Sequence, residues 1–297
     1  MVNFPGVIPP IPTPLNKDET IDEPSLRRLI EFLISGSVHG IFVLGTCGEF
    51  ASLSAKEKKK AVSITVEQVS GRVPVYAQIT EVGTGDTISN LKEYSKLNID
   101  YAVVTTPYYY RLSQSDLIRH FQMVIEASDI PLFLYVIPQM TKLTLDVPSV
   151  FTLGKDSRLA GIKDSSGDFF YFQELLEYKP RDNFFVLQGK DELFGSSILS
   201  GATGGVLGVA NFAPRLLVQL YEAAMAGKIG EVRSLQKQVN LLSKLFKLSS
   251  AQGVMKYCLK ALGVIEYDYM TSPLPSPDSQ AQLIIDATLK KLGLCRE

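Results

Sequence analysis

Lys163 closes a short apolar run, Leu159-Ala160-Gly161-Ile162, and Asp164, Ser165, Ser166, Gly167 and Asp168 follow at once. The run has the length and character of a buried strand, and the residues after it are those of turns and helix caps. A lysine at the carboxyl end of a buried strand sits where barrel enzymes keep their chemistry. Desolvation there disfavours the ammonium and leaves a fraction of free amine to attack a carbonyl. The alternative is a strand-end lysine paired with Asp164 or Asp168. Other clusters could serve such an amine. Gly45-Thr46-Cys47-Gly48-Glu49 has the small residues that let backbone N–H groups approach a carboxylate, or it is a tight turn with Glu49 opening a helix. Thr106-Pro107-Tyr108-Tyr109-Tyr110-Arg111 brings three adjacent tyrosines, suited to a core, an interface or proton handling. Tyr135, before Val136-Ile137-Pro138, offers a phenol either as proton donor and acceptor or as a hydrogen-bonded core-edge residue. Gly201-Ala202-Thr203-Gly204-Gly205 reads as a phosphate cradle or a tight turn.

Apolar runs alternate with helical patterns from residue 6 onward, the mark of βαβ units on a parallel sheet. Strands are expected at 6–11, 40–44, 73–78, 101–105, 132–135, 159–163, 184–187 and 204–207. Helices are expected between them at 25–35, 54–69, 85–97, 113–127, 147–153, 169–178 and 193–199, with Ser113 as a cap. Eight such pairs in about 220 residues is the size of one (β/α)8 barrel. A doubly wound open sheet is the alternative, but no G-x-G-x-x-G follows the first strand. Helices at 214–226, 229–248, 251–262 and 278–292 remain; the first closes the barrel and the others form an appendage. The expected division is a barrel over residues 1–226 carrying the site and a helical region over 227–297 packed on it.

The chain has 297 residues, 45% hydrophobic and 21% charged, with a net charge of −1, the balance of a soluble globular protein that offers nothing to nucleic acid. No apolar run approaches the roughly 20 residues that span a bilayer. Met1 to Gly6 lacks the basic-then-apolar layout of a signal peptide, so the expected setting is the cytoplasm. Cys47, Cys258 and Cys295 are far apart, and His39 and His120 lack partners at ligand spacing, so neither a disulfide framework nor a metal is expected.

On Gly45-Thr46-Cys47-Gly48-Glu49, Thr106-Pro107-Tyr108-Tyr109, Tyr135 with Pro138, and Gly161-Ile162-Lys163-Asp164, the chain resembles the dihydrodipicolinate synthase/N-acetylneuraminate lyase family of class I aldolases. The resemblance covers essentially the whole length. It implies a TIM barrel with a C-terminal helical region, assembled as a homotetramer from a pair of tight dimers. It implies that Lys163 forms a Schiff base with pyruvate or another 2-oxo acid, without cofactor or metal. By the same resemblance Tyr135 shuttles a proton on the substrate hydroxyl, and Thr46 with the Cys47 backbone holds the carboxylate. Gly48 and Val206 join Thr46 and Cys47 as substrate-binding positions, and Tyr109 reaches into the neighbouring subunit's site. A protonated imine withdraws electrons, so the C3–C4 bond of the substrate can break to leave an enamine.

Departures narrow the choice. Where the family's synthases carry an arginine for the carboxylate of aspartate semialdehyde, this chain has Met140, which makes no bidentate contact. Lys142 offers only a point charge with a different reach. Val136 replaces the usual asparagine, and Cys47 a common Thr, Ser or Gly. Gly48-Glu49-Phe50 with Ser52-Leu53, Ala210-Asn211-Phe212-Ala213-Pro214 and Leu274-Pro275-Ser276-Pro277 resemble 2-keto-3-deoxygluconate aldolases. The expected reaction is therefore reversible cleavage of a 2-keto-3-deoxy sugar acid to pyruvate and an aldehyde. The synthase and N-acetylneuraminate lyase reactions share the imine step and stand as alternatives, as do 4-hydroxy-2-oxoglutarate aldolase and a dehydratase. A keto-acid-binding sensor barrel is the non-enzyme reading; the retention of Lys163, Tyr135, Thr46 and Tyr109 speaks against it.

Overall fold

The computed structural model describes residues 5–294; Cys295 and Met1 to Phe4 of the N-terminal stretch read above lie outside them. Eight parallel strands run β1 (Gly6–Ile8), β2 (Ile41–Val43), β3 (Val75–Gln78), β4 (Tyr101–Thr105), β5 (Leu132–Val136), β6 (Leu159–Asp164), β7 (Phe185–Gln188) and β8 (Gly204–Val206). Each pairs with the next from β2 round to β8, and β8 pairs with β1. A bridge between Pro10 and Phe42 closes the ring, with the Phe42 N–H donating to Pro9 (3.0 Å) and the Ile11 N–H to Phe42 (2.9 Å). The ladder expected over 6–11 stops at Ile8 because Pro9, Pro10 and Pro12 carry no N–H. The fold is a (β/α)8 barrel with a C-terminal helical extension.

The helices are α1 (Glu23–Ser35), α2 (Ala55–Val69), α3 (Thr84–Ser95), α4 (Gln114–Glu126), α5 (Pro138–Thr141), α6 (Val147–Leu153), α7 (Phe169–Glu177), α8 (Phe194–Leu199), α9 (Pro214–Met225), α10 (Ile229–Ser243), α11 (Ala251–Ala261) and α12 (Ser279–Lys291). The 3.6-residue spacing of Leu26, Leu29, Ile30 and Leu33 puts all four on the buried face of α1, each contributing about 1.5–3 kcal/mol. Ser113 caps α4 as expected: its Oγ accepts from the Asp116 N–H, and the Asp116 carboxylate accepts from the Ser113 N–H.

Two helical features differ from expectation. The loop after Ile137 is the short helix α5, because Pro138 presets the backbone of a first helical position, and Lys142 at φ 61° ends it. The helix expected over 229–248 stops at Ser243, whose hydroxyl bonds back to Asn240; a 3-10 turn over Lys244–Lys247 then buries Leu245 and sets Phe246 against Phe212. No described helix is long and apolar enough to cross a membrane.

The strands alternate between two cores. Outward residues such as Val7, Ile41, Val104 and Ile162 pack under the helices, and inward residues such as Ile8, Phe42, Val103, Phe133 and Leu187 fill the barrel.

Candidate active site

The floor of the site is aromatic. Tyr76 stacks on Tyr101 with ring centroids 4.7 Å apart, and Phe133 on Phe185 at 6.1 Å. Gly161 makes room for this layer: a Cβ there would overlap the Phe185 carbonyl and come 2.7 Å from the Phe133 ring. Lys163 follows two residues later on the same face of β6, one layer higher, beside Tyr135 of β5 and Leu187 of β7. Its Nζ lies 3.7 Å from the Tyr135 ring centroid and 5.1 Å from that of Phe42.

Lys163 is 5% exposed. Burial pushes its ammonium down to about 8, against the pull of Cys47, Asp191 and Asp164, which favour the charged form. Among the described residues Lys163 has no ion-pair partner. The Asp164 carboxylate accepts from the Ser166 N–H (2.8 Å) and Oγ–H (3.0 Å), and Asp168 caps α7 by accepting from Phe170 and Tyr171. The salt-bridged alternative is thus not the arrangement found.

The Tyr135 hydroxyl lies 3.3 Å from Thr46 Oγ1. Burial pushes the phenol far above its ordinary value, against hydrogen bonds to Thr46 and Ser165, so it rests protonated. Thr46 opens a 3-10 turn over Thr46–Gly48 whose first donors are the Gly48 and Glu49 N–H groups. The N–H groups of Thr46 and Cys47 therefore stand ahead of the turn's own hydrogen bonds. Burial pushes the Cys47 thiol up to about 11, which keeps it a neutral wall rather than a thiolate. Gly48 is pinned from behind: its carbonyl accepts from Thr13 Oγ1 (2.8 Å), and a Cβ would come 3.1 Å from the Ile11 carbonyl. Val206 lines a small void of about 10 Å³ with Lys163 and Phe42.

Thr46, Cys47, Tyr135, Lys163 and Val206 are thus gathered in and over the barrel mouth, with Gly48 buried as the last residue of the turn. Tyr109 is not gathered with them: it is 86% exposed, at φ 85°, with its ring edge-on to Tyr110. Gly201 to Thr203 precede β8 and so lie at the opposite end of the barrel. Gly201 at φ 102° and the close approach of Gly204 to Gly6 make that stretch the tight turn, not a cradle on the rim.

A cavity of about 220 Å³ opens beside Thr46, lined among others by Phe50, Ser52, Thr105, Tyr108, Ile137, Met140, Thr141, Gln252 and Leu274. Among the described residues neither Lys nor Arg lines it. Met140 is 60% exposed, and the Lys142 ammonium donates to the Gln139 carbonyl of its own short helix (3.0 Å). A larger cavity of about 580 Å³ lies between α1, α9 and α11, away from Lys163 on the outer shell of the barrel.

Several residues were missed in the sequence. Asp191 accepts from the Val209 N–H (2.9 Å) and Gly208 N–H (3.2 Å), joining the loops after β7 and β8, and burial pushes its carboxyl up to about 7. The polar run Gln188-Gly189-Lys190-Asp191 directly after the seventh strand was the available signal. Thr105 holds the Tyr135 carbonyl through its hydroxyl (2.8 Å), and Gln252 donates to the Thr46 carbonyl (3.0 Å). Gln252 had no local signal, since it reaches the site from α11.

The profile of the dihydrodipicolinate synthetase family matches residues 3–292. A DapA-like lyase of Halobacterium salinarum is 33% identical over 291 residues, 97% of this chain and 94% of that protein. A 4-hydroxy-tetrahydrodipicolinate synthase of Methanosarcina acetivorans is 32% identical, covering 99% of this chain and 100% of the relative. Among solved structures, YagE of Escherichia coli K12 in complex with pyruvate superposes with a TM-score of 0.95 at 28% identity, over 99% of this chain and 100% of that one. The dihydrodipicolinate synthase of Bacteroides thetaiotaomicron superposes with a TM-score of 0.93 at 33% identity, over 98% and 99%. The chain belongs to the dihydrodipicolinate synthetase family of pyruvate-dependent lyases and synthases.

Proposed function

We propose that this protein is a Schiff-base-forming aldolase that reversibly cleaves a 2-keto-3-deoxy sugar acid to pyruvate and an uncharged aldehyde. The observation that carries the reading is the buried Lys163 amine against the Tyr135 ring, with the Tyr135 hydroxyl 3.3 Å from Thr46 Oγ1. The amine attacks C2 of the keto acid and water leaves, giving a protonated imine. Tyr135 takes the C4 hydroxyl proton while passing its own to Thr46, whose hydroxyl proton passes outward to solvent; the C3–C4 electron pair moves into the imine as an enamine, and the C4 fragment leaves as the aldehyde. Protonation at C3 and hydrolysis release pyruvate. The leading N–H groups of Thr46 and Cys47 hold the carboxylate, with Gly48 and Val206 shaping the pocket.

The proposal includes the homotetramer, in which Tyr109 extends the proton path into a neighbour's site; its exposure and positive φ support that role. It also divides the chain into a barrel through residue 226, which holds the chemistry, and a helical region over 227–297 packed on it.

The mouth favours an uncharged aldehyde. Ser52 and Thr105 match hydroxyl groups, while Met140 and the self-bonded Lys142 leave a second carboxylate without a bidentate partner. The test is pyruvate release from a panel of 2-keto-3-deoxy sugar acids, against condensation of pyruvate with aspartate semialdehyde. We expect kcat/KM at least about tenfold higher for a sugar acid, a difference of ~1.4 kcal/mol. Efficient condensation with the semialdehyde would overturn the specificity, and pyruvate binding without turnover of any partner would favour the sensor.

A further inference from the structure

We infer that the buried ion pair between Glu49 and Lys256 positions the Thr46–Cys47 turn for the substrate carboxylate, which makes α11 and the segment around Thr271 working parts of the site. The inference rests on the reading of that turn as the carboxylate clamp. Glu49 directly follows the turn and adopts φ 60°, a left-handed conformation that a non-glycine residue keeps only where its surroundings impose it. Those surroundings come from the C-terminal region. The Glu49 and Lys256 side chains are both 0% exposed, with Oε1 2.5 Å from Nζ. The other carboxylate oxygen accepts from the Thr271 N–H (2.8 Å) and hydroxyl (2.7 Å), and Lys256 also donates to the Tyr269 carbonyl (2.7 Å). Four residues before Lys256, on the same face of α11, Gln252 holds the Thr46 carbonyl (3.0 Å).

One helix face thus grips both ends of the turn. An apolar pair could fill the same volume with equal or greater stability, so the charges contribute orientation rather than cohesion. Neither Glu49 nor Lys256 has a part in the bond-breaking steps, and both act through the backbone of Thr46 and Cys47.

The test titrates pyruvate against formation of the borohydride-reduced adduct on Lys163, read by intact mass, in wild type, Glu49→Gln, Lys256→Met, Gln252→Leu and Thr271→Val. A control, Arg72→Met, breaks the surface pair with Glu31 of α1, where the chain enters β3 and away from the turn. Half-saturating pyruvate should rise by about tenfold or more in Glu49→Gln and Lys256→Met. It should rise about two- to fivefold in Thr271→Val and Gln252→Leu, each of which removes one hydrogen bond. The control should stay at the wild-type value, and adduct yield at saturating pyruvate should be retained in every folded variant. If Glu49→Gln and Lys256→Met do not fold, Thr271→Val and Gln252→Leu decide the matter. Wild-type half-saturation in the folded variants, whatever their melting temperature, overturns the inference alone. Absence of the adduct from wild type overturns the imine reading and the inference with it.

Discussion

Imine formation at Lys163 should level off with pH far earlier than an ordinary lysine allows. Burial under the Tyr135 and Phe42 rings brings its pKa from 10.5 to about 8. At pH 7 the free amine is then ~9% of the protein rather than ~0.03%, roughly a 300-fold gain in nucleophile. The decisive window is pH 8.5 to 9.5. There the amine fraction changes only ~1.3-fold with the lowered pKa, but ~ninefold for an unperturbed lysine. The assay mixes protein with limiting pyruvate at each pH, quenches with borohydride at millisecond intervals, and reads the adduct by intact mass. A rate that rises in proportion to hydroxide through pH 9.5 would refute the reasoning, because it would mean that the barrel interior does not desolvate the ammonium.

The same shift carries a stability cost. Since the folded-state pKa lies below the unfolded one, the cost is complete below about pH 8 and is relieved as the pH rises towards 10.5. Lys163→Met should therefore abolish activity yet stabilise the protein at pH 7, by up to about 3 kcal/mol in urea unfolding; equal or lower stability would contradict the burial argument. Tyr135→Phe removes the hydroxyl 3.3 Å from Thr46 while keeping the ring, so the pyruvyl adduct should persist as turnover falls about 10²–10⁴-fold. Unchanged turnover would take Tyr135 out of the proton path. Met140→Arg places a guanidinium at the mouth and should raise kcat/KM for aspartate semialdehyde by about tenfold or more; no gain would mean that the mouth does not select on charge.

Much of the barrel was legible because the chain repeats one pattern: short apolar runs that serve as strands, then helices with a single apolar stripe. Lys163 was legible as a strand-end cation in an apolar context, and Tyr135 as a strand-end phenol. Local reading does less well where the partner is distant. Pro9 and Pro10 were read inside the first strand, yet their missing N–H groups end the ladder at Ile8 and thin the seam that closes the ring. Gly201 to Thr203 were read with the rim although they enter rather than leave β8, so strand direction decides against the cradle. Asp191 and Gln252 escaped notice because their partners, Val209 and Thr46, lie 18 and 206 residues away. Tyr109 shows the converse: its motif is legible in the sequence, while a single chain leaves its ring in solvent.

The central claim is a covalent imine between Lys163 and pyruvate. Its most direct test is intact mass after incubation with pyruvate and borohydride, followed by peptide mapping. A single reduced pyruvyl group on the peptide carrying Lys163, absent from Lys163→Ala, is the predicted result. No adduct on a folded protein, or an adduct on another lysine with Lys163→Ala fully active, would contradict it.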